Sequence, residues 1–273
     1  MNSIEQAAQI IAQADALVIA AGAGMGVDSG LPDFRGTEGF WRAYPPLAEL
    51  GLRFEQAANP LWFERDPELA WGFYGHRFNL YRRTAPHPGF AILQRWAERK
   101  ARGAFVFTSN VDGHFQRAGF GEERVYECHG SLSHLQCSEP CCEEIWAADG
   151  PEIVVDEETF RAEEPLPRCL HCGAMARPNV LMFSDGQWLW NRSNAQERRF
   201  EAWLSGLEDA RLVVVECGAG HAIPTVRRMS ENLQRAGADL IRINPREPNG
   251  PAGTISLPVG ALEALSVIDG QSV

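Results

Sequence analysis

The chain carries no excess of positive charge, and that absence sets the first limit on its partners. Its 273 residues hold 25 Lys and Arg against 36 Asp and Glu, a net charge of −11, with the basic residues scattered. A sequence-independent grip on a phosphate backbone needs a basic face, so nucleic acid is not an expected partner. A long hydrophobic run is also missing. The N-terminal MNSIEQAAQIIAQADALVIAAGA has no positive start, and Gln and Asp interrupt its apolar stretch, so neither a targeting segment nor a membrane span is expected. No internal repeat or low-complexity tract occurs, and 45% hydrophobic with 22% charged residues suit a self-sufficient globular core. The seven cysteines do not form a dispersed disulfide framework. Four or five of them fall in two close pairs, which points to a reducing, cytoplasmic setting.

What is present is a succession of short apolar runs separated by helical stretches. Ser3 and Gln6 have capping-box spacing, and Ile4, Ala7, Ala8 and Ile11 recur at helical spacing, predicting an amphipathic helix over 4–13. Continuous apolar runs of strand length follow at 17–21, 104–108, 212–217 and 240–244, with a shorter candidate at 180–183. Helical stretches at 88–99 and 222–236 lie between them, so the expected class is α/β: a Rossmann-like parallel sheet flanked by helices. Ligands of such sheets bind beyond the carboxyl ends of the strands, which singles out 22–26, 109–113, 218–222 and 244–246. Two stretches break the alternation. Residues 37–84 are rich in aromatics with helical patches, and 131–177 hold most of the cysteines. The expected organisation is therefore a Rossmann-like domain from 1–36, 85–130 and 178–273, with 37–84 and 131–177 forming a smaller lobe.

The run VIAAGAGMGVDSGLPDFRG, residues 18–36, leads a buried strand into glycines. Glycine admits close backbone approach, and a following helix N-terminus favours an anion. Gly22 and Gly24 give G-x-G, but Val27 stands where the third glycine of the common dinucleotide fingerprint belongs. Taken alone, the run fits a nucleotide loop or a tight strand-to-helix turn.

The cysteine pairs speak more clearly. Cys137 with Cys141 or Cys142, then Cys169 and Cys172, place two knuckles about thirty residues apart, a pattern that suits tetrahedral zinc. Cys141 is the preferred second ligand. Four thiolates leave no open position, so the expected zinc is structural.

After the run ending at Thr108 come Ser109, Asn110, Val111, Asp112 and Gly113, then a short run through His129 and Gly130. Read singly, Asn110 and Asp112 suit an Asx-turn, and His129 suits a satisfied buried histidine. The ordered set of GAG…GLPDFRG, TSNVDG…AG, CHG, the paired cysteines, RPNVLMF and a late INP resembles the sirtuins, the NAD-dependent protein deacylases. The resemblance spans most of the chain. It implies that Gly22, Ala23 and Gly24 pack against the NAD diphosphate and ribose, and that Asp33, Phe34 and Arg35 sit over the nicotinamide half. It also implies that Ser109, Asn110, Val111 and Asp112 line the nicotinamide pocket, that Gly218 and Ala219 form a further NAD turn, and that Asn244 binds the adenosine ribose. His129 becomes the implied general base, with Asn110 and Asp112 beside it in the catalytic set. An acylated protein or peptide is the implied partner, with nicotinamide, O-acyl-ADP-ribose and free lysine as products.

Tyr74 and Arg77 add a further likeness, to sirtuins that remove succinyl and malonyl groups. At i and i+3 they share a helix face, where a phenol and a guanidinium would meet an acyl carboxylate. Val180 and Phe183 fall in the segment that pairs with the substrate peptide in the family. The chain departs from the family at Gly26, where serine is usual, at Ser109, at Phe115, at Ser184 to Gly186, and most at 216–221. These departures keep NAD hydrolysis, mono-ADP-ribosylation and non-catalytic NAD sensing as alternative expectations.

Overall fold

The computed structural model describes residues 2–32 and 36–271. Nine strands order these residues: β1 (Ala16–Ala21), β2 (Ala104–Thr108), β3 (Val125–Glu127), β4 (Gly130–Cys137), β5 (Trp146–Ala147), β6 (Ala176–Val180), β7 (Leu212–Cys217), β8 (Asp239–Ile243) and β9 (Ile255–Leu257). Six of them form a wholly parallel sheet in the order β3-β2-β1-β7-β8-β9. The expected Rossmann-like class is what this sheet shows.

β1 explains why its sequence is continuously apolar rather than alternating. Leu17, Ile19 and Ala21 face a core built with helices Ser3–Gln13, Pro88–Glu98 and Ala261–Gly270, while Val18 and Ala20 face helices Asn191–Ser205 and Thr225–Arg235. A strand covered on both faces has no solvent side to mark with polar residues. The register is flush: Ala21 pairs with Thr108 on one side and Cys217 on the other. Three loops therefore leave the sheet at one level, beside the point where the strand order reverses between β1 and β7.

The remaining strands make an antiparallel sheet, β5-β4-β6. A separate apolar cluster joins it to the helices between residues 36 and 83, with Phe40, Tyr44, Phe73 and Tyr74 packed against Phe160, Leu166 and Met175. The two stretches that interrupt the alternation thus share one core.

Several local expectations are corrected. The first helix begins at Ser3 and is capped by Asn2, whose Oδ1 accepts from Glu5 N at 2.9 Å while Glu5 Oε2 accepts from Asn2 N at 3.0 Å. Asn outcompetes Ser3 because this reciprocal pair needs an acceptor one residue earlier. The strand expected at 180–183 ends at Val180 and belongs to the antiparallel sheet. Asp185 overrides the apolar run: its carboxylate accepts from Met182 N and Gln187 N at 3.2 and 3.1 Å, bending the chain into a loop. Pro178 is tolerated in β6 because β6 lies at the sheet edge. β8 runs one residue earlier than expected, the helix expected over 222–236 spans Thr225–Arg235, and β9, with the helices Asn191–Ser205 and Ala261–Gly270, lay outside the expectations.

Candidate active site

The loops after β1, β2 and β7 open onto a cavity of about 740 Å³ that continues toward the helix Pro67–Arg83. Gly22, Ala23, Ser109, Asn110, Val111, Asp112, His129, Gly218 and Ala219 all line it, as do Tyr74, Arg77, Val180 and Phe183. Residues that the sequence separates by up to 197 positions therefore meet in one space.

The glycines serve loop-to-loop contact here. A Cβ on Gly22 would lie 2.7 Å from Ala219 Cα, and one on Gly218, whose φ is +65°, would lie 2.4 Å from the Gly24 carbonyl carbon. Only backbone without side chains packs that closely. Gly24 N donates to Gly218 O at 3.0 Å and Gly22 N to Cys217 O at 3.0 Å. Gly24 opens the short helix Gly24–Val27 and does not line the cavity. Leu31 leans over Gly26, with Cδ1 3.0 Å from the place a Cβ would take, so a hydrocarbon covers the position where the resemblance has serine. Asp33, Phe34 and Arg35 lie outside the described residues.

The β2 loop is tied to the β1 loop. Thr108 Oγ1 donates to Ala21 O and accepts from Asn110 N, both at 3.0 Å, and Asn110 Nδ2 donates to Gly22 O at 3.0 Å. Asp112 Oδ1 accepts from His114 N at 2.9 Å, the Asx-turn that the spacing suggested. One oxygen fixes the turn and the carboxylate stays at the cavity wall.

His129 stands just beyond β3. Its approach is held by Glu127, which is buried and accepts from Arg192 Nη2 at 2.6 Å, and by Cys128 N donating to Thr108 O at 2.9 Å. The ring is half-buried and reaches the cavity, with Nε2 3.3 Å from Thr225 Oγ1. Burial holds its pKa below the usual histidine value, so the imidazole is neutral at pH 7.

At the far wall Tyr74 and Arg77 are both buried. Burial pushes the Tyr74 phenol up to about 12, keeping its hydroxyl protonated. The Arg77 guanidinium lies 5.3 to 6.0 Å from the ring centres of Phe73, Tyr81 and Tyr74. Its Nε and Nη2 donate to Tyr81 Oη at 3.1 and 2.8 Å. Tyr81 lines the cavity and was not anticipated, although its i+4 spacing from Arg77 was available in the sequence. Leu181 and Ile223, both more than 40% exposed, rim the opening and were likewise missed.

Asn244 is fully buried and does not line the cavity. Its Nδ2 donates to Ala219 O at 2.8 Å, and its Oδ1 accepts from Arg246 N and Glu247 N at 3.0 Å. It braces the β7 and β8 loops against each other. Phe183 sits in the loop beyond β6, with its N–H donated to Ala58 O at 2.9 Å. Asp185 is locked to Arg177 in an ion pair with no side-chain exposure.

The cysteines converge as expected. The sulfurs of Cys137, Cys141, Cys169 and Cys172 lie within 4.8 Å of one another, and the Cys137–Cys172 and Cys141–Cys169 separations are both 3.7 Å. Zn–S bonds of about 2.3 Å in a tetrahedron place sulfurs about 3.8 Å apart, whereas a disulfide needs about 2 Å. The four thiols fit zinc, and Cys141 rather than Cys142 completes the set.

A parallel sheet with a cavity at its reversal point, flanked by a four-thiol knuckle module, defines a nucleotide-binding α/β protein with a structural metal centre. The chain belongs to the Sir2 family, whose model matches residues 22–203. It is 33% identical over 240 residues to NAD-dependent protein deacylase 2 of Pyrobaculum aerophilum, covering 87% of this chain and 82% of that protein. It is 30% identical over 274 residues to the NAD-dependent protein deacylase of Thermus thermophilus, covering 98% and 94%. A Sir2 homologue solved in complex with NAD superposes with a TM-score of 0.70 at 26% identity, covering 98% of this chain and 93% of that one. A mutant Sir2 homologue bound to ADP-ribose gives 0.72 at 27% identity, covering 98% and 96%.

Proposed function

We propose that this chain is an NAD-dependent protein lysine deacylase, and that acidic acyl groups such as succinyl and malonyl are among its substrates. The observation that carries the reading is the meeting of His129, Asn110 and Asp112 with Tyr74 and Arg77 around one cavity. The cavity is large enough for a dinucleotide together with an acyl-lysine side chain. When bound, NAD supplies an electrophilic sugar carbon as nicotinamide leaves.

The chain's own groups take up the rest. Gly22, Ala23, Gly218 and Ala219 offer backbone at the sheet edge for the nucleotide, with Asn244 and Gly24 bracing those loops. Ser109, Asn110, Val111 and Asp112 hold the nicotinamide end, where Asp112 presents an acceptor to a carboxamide. His129 is neutral at pH 7 and takes a proton from a ribose hydroxyl at Nε2. Val180 and Phe183 contact the substrate. Tyr74 and Arg77 grip an acyl carboxylate: a buried guanidinium among aromatic rings gains a desolvated, bidentate anionic partner. Zinc, held by Cys137, Cys141, Cys169 and Cys172, cross-links the knuckles and takes no part in the chemistry.

The division into a Rossmann-like domain (1–36, 85–130, 178–273) and a smaller lobe (37–84, 131–177) belongs to the same proposal. The separate apolar cores of the two sheets support it. Among the described residues no helix is long and apolar enough to cross a membrane. The test is nicotinamide release across acetyl-, succinyl- and malonyl-lysine peptides, with and without peptide. Release that depends on acyl peptide and yields free lysine is expected. Equal NAD cleavage without peptide would refute deacylation in favour of hydrolysis.

A further inference from the structure

The knuckles that hold the four thiols carry a second set of donors on their outer side. Cys142 follows the inner ligand Cys141, Glu144 lies two residues on, and His171 stands between the inner ligands Cys169 and Cys172. One ligand atom from each of Cys142, Glu144 and His171 falls within 4.8 Å of the other two. The Glu144 carboxylate and His171 Nε2 are in direct contact. Cys142 Sγ lies 3.9 Å from Cys141 Sγ, so the outer group abuts the inner one.

Each knuckle thus carries an inner ligand with a second donor beside it in sequence: Cys141 with Cys142, and Cys172 with His171.

We propose that Cys142, Glu144 and His171 form a second zinc site with three protein ligands and one position left for water. The donor chemistry selects the ion. One thiolate, one imidazole and one carboxylate make a borderline set that suits Zn²⁺ or Co²⁺ and disfavours Mg²⁺ and Ca²⁺, which take oxygen ligands. Bonds of 2.0 to 2.3 Å in a tetrahedron require donors about 3.3 to 3.8 Å apart. Glu144 and His171 are exposed and Cys142 half-buried, so no tightly packed core holds their side chains away from that spacing. The ion would bridge the two knuckles a second time, from outside. Being open and exposed, the site exchanges its ion faster than the closed four-thiolate centre.

The proposal is independent of the catalytic reading, and metal counting tests it directly. The intact protein, with its tight zinc retained, is titrated with Zn²⁺ and the bound metal measured by mass spectrometry after gel filtration. Two zinc ions per chain are expected for the wild type, and one each for Cys142→Ser and His171→Ala. Co²⁺ added to the one-zinc protein is expected to give tetrahedral d–d bands and a thiolate charge-transfer band, both lost in Cys142→Ser. Glu144→Gln, a mild change at an exposed position, is expected to weaken the second ion at least tenfold with an unchanged melting curve. Wild-type saturation at one zinc overturns the proposal. So does a second ion that persists undiminished in all three variants.

Discussion

Replacing Arg77 by methionine separates recognition of an acidic acyl group from the deacylation chemistry. Arg77 is 6% exposed, lies against the rings of Phe73, Tyr74 and Tyr81, and donates twice to Tyr81 Oη. Methionine fills similar space without charge, so those aromatic contacts survive. Loss of the donors to Tyr81 costs about 1–3 kcal/mol, offset in part by removal of a buried charge, so the fold persists. A succinyl carboxylate entering the variant's cavity would be desolvated with no cation to meet it. Removing one member of a buried pair costs about 3–5 kcal/mol, which at about 1.4 kcal/mol per decade is roughly a 150- to 5,000-fold loss in kcat/KM. An acetyl group has no carboxylate and bypasses the term. The assay is initial-rate nicotinamide release on matched succinyl, malonyl and acetyl peptides, with melting curves as a fold control. Equal loss on all three, or an unchanged succinyl rate, refutes the reasoning.

Substituting His129 by alanine is expected to lower deacylated product about 100- to 10,000-fold, as loss of a general base does, read by mass spectrometry of the peptide. Because burial depresses the His129 pKa and the neutral ring is the active form, the acid limb of kcat/KM is expected below pH 6.5. An acid limb at pH 7 or above would remove His129 as its source. Cys141→Ser is expected to lose the inner zinc and melt at a lower temperature; retention of that zinc would reassign the ligand. Glu216→Gln leaves the fully buried Arg242 with Glu231 as its remaining carboxylate partner. The expected cost of about 3–5 kcal/mol corresponds to a fall of roughly 6–20 °C in Tm for a chain of this size, and an unshifted melt would contradict it.

The central strands were legible because burial on both faces leaves an unbroken apolar run, as in β1, β2 and β7. β9 was not, since three residues carry too little pattern. The four-thiol set could be read from spacing, with Cys141 preferred, and the structure brings Cys141 rather than Cys142 together with the other three. Residues 180–183 misled because the apolar run looked like a strand while Asp185, two residues beyond it, dictated a loop. Asn244 illustrates a different limit. Its position in the chain placed it near the nucleotide loops, but only the structure shows both ends of its side chain engaged by backbone. Tyr81 lies one helical turn beyond Arg77, and its i+4 spacing alone put its hydroxyl within reach of the guanidinium.

The flush register of β1, β2 and β7 gives the molecule a directional tolerance to changes in length. A residue added ahead of Ala16 or Leu212 is absorbed by the polar turns there, and the strand ends keep their level. One added within β1 raises Gly22 by about 3.3 Å and reverses the facing of every side chain beyond it. Gly22 would then lose its seat against Ala219, and Asn110 its acceptor at the Gly22 carbonyl. Insertions in this fold are thus admitted at the entrance of each strand and refused at its exit.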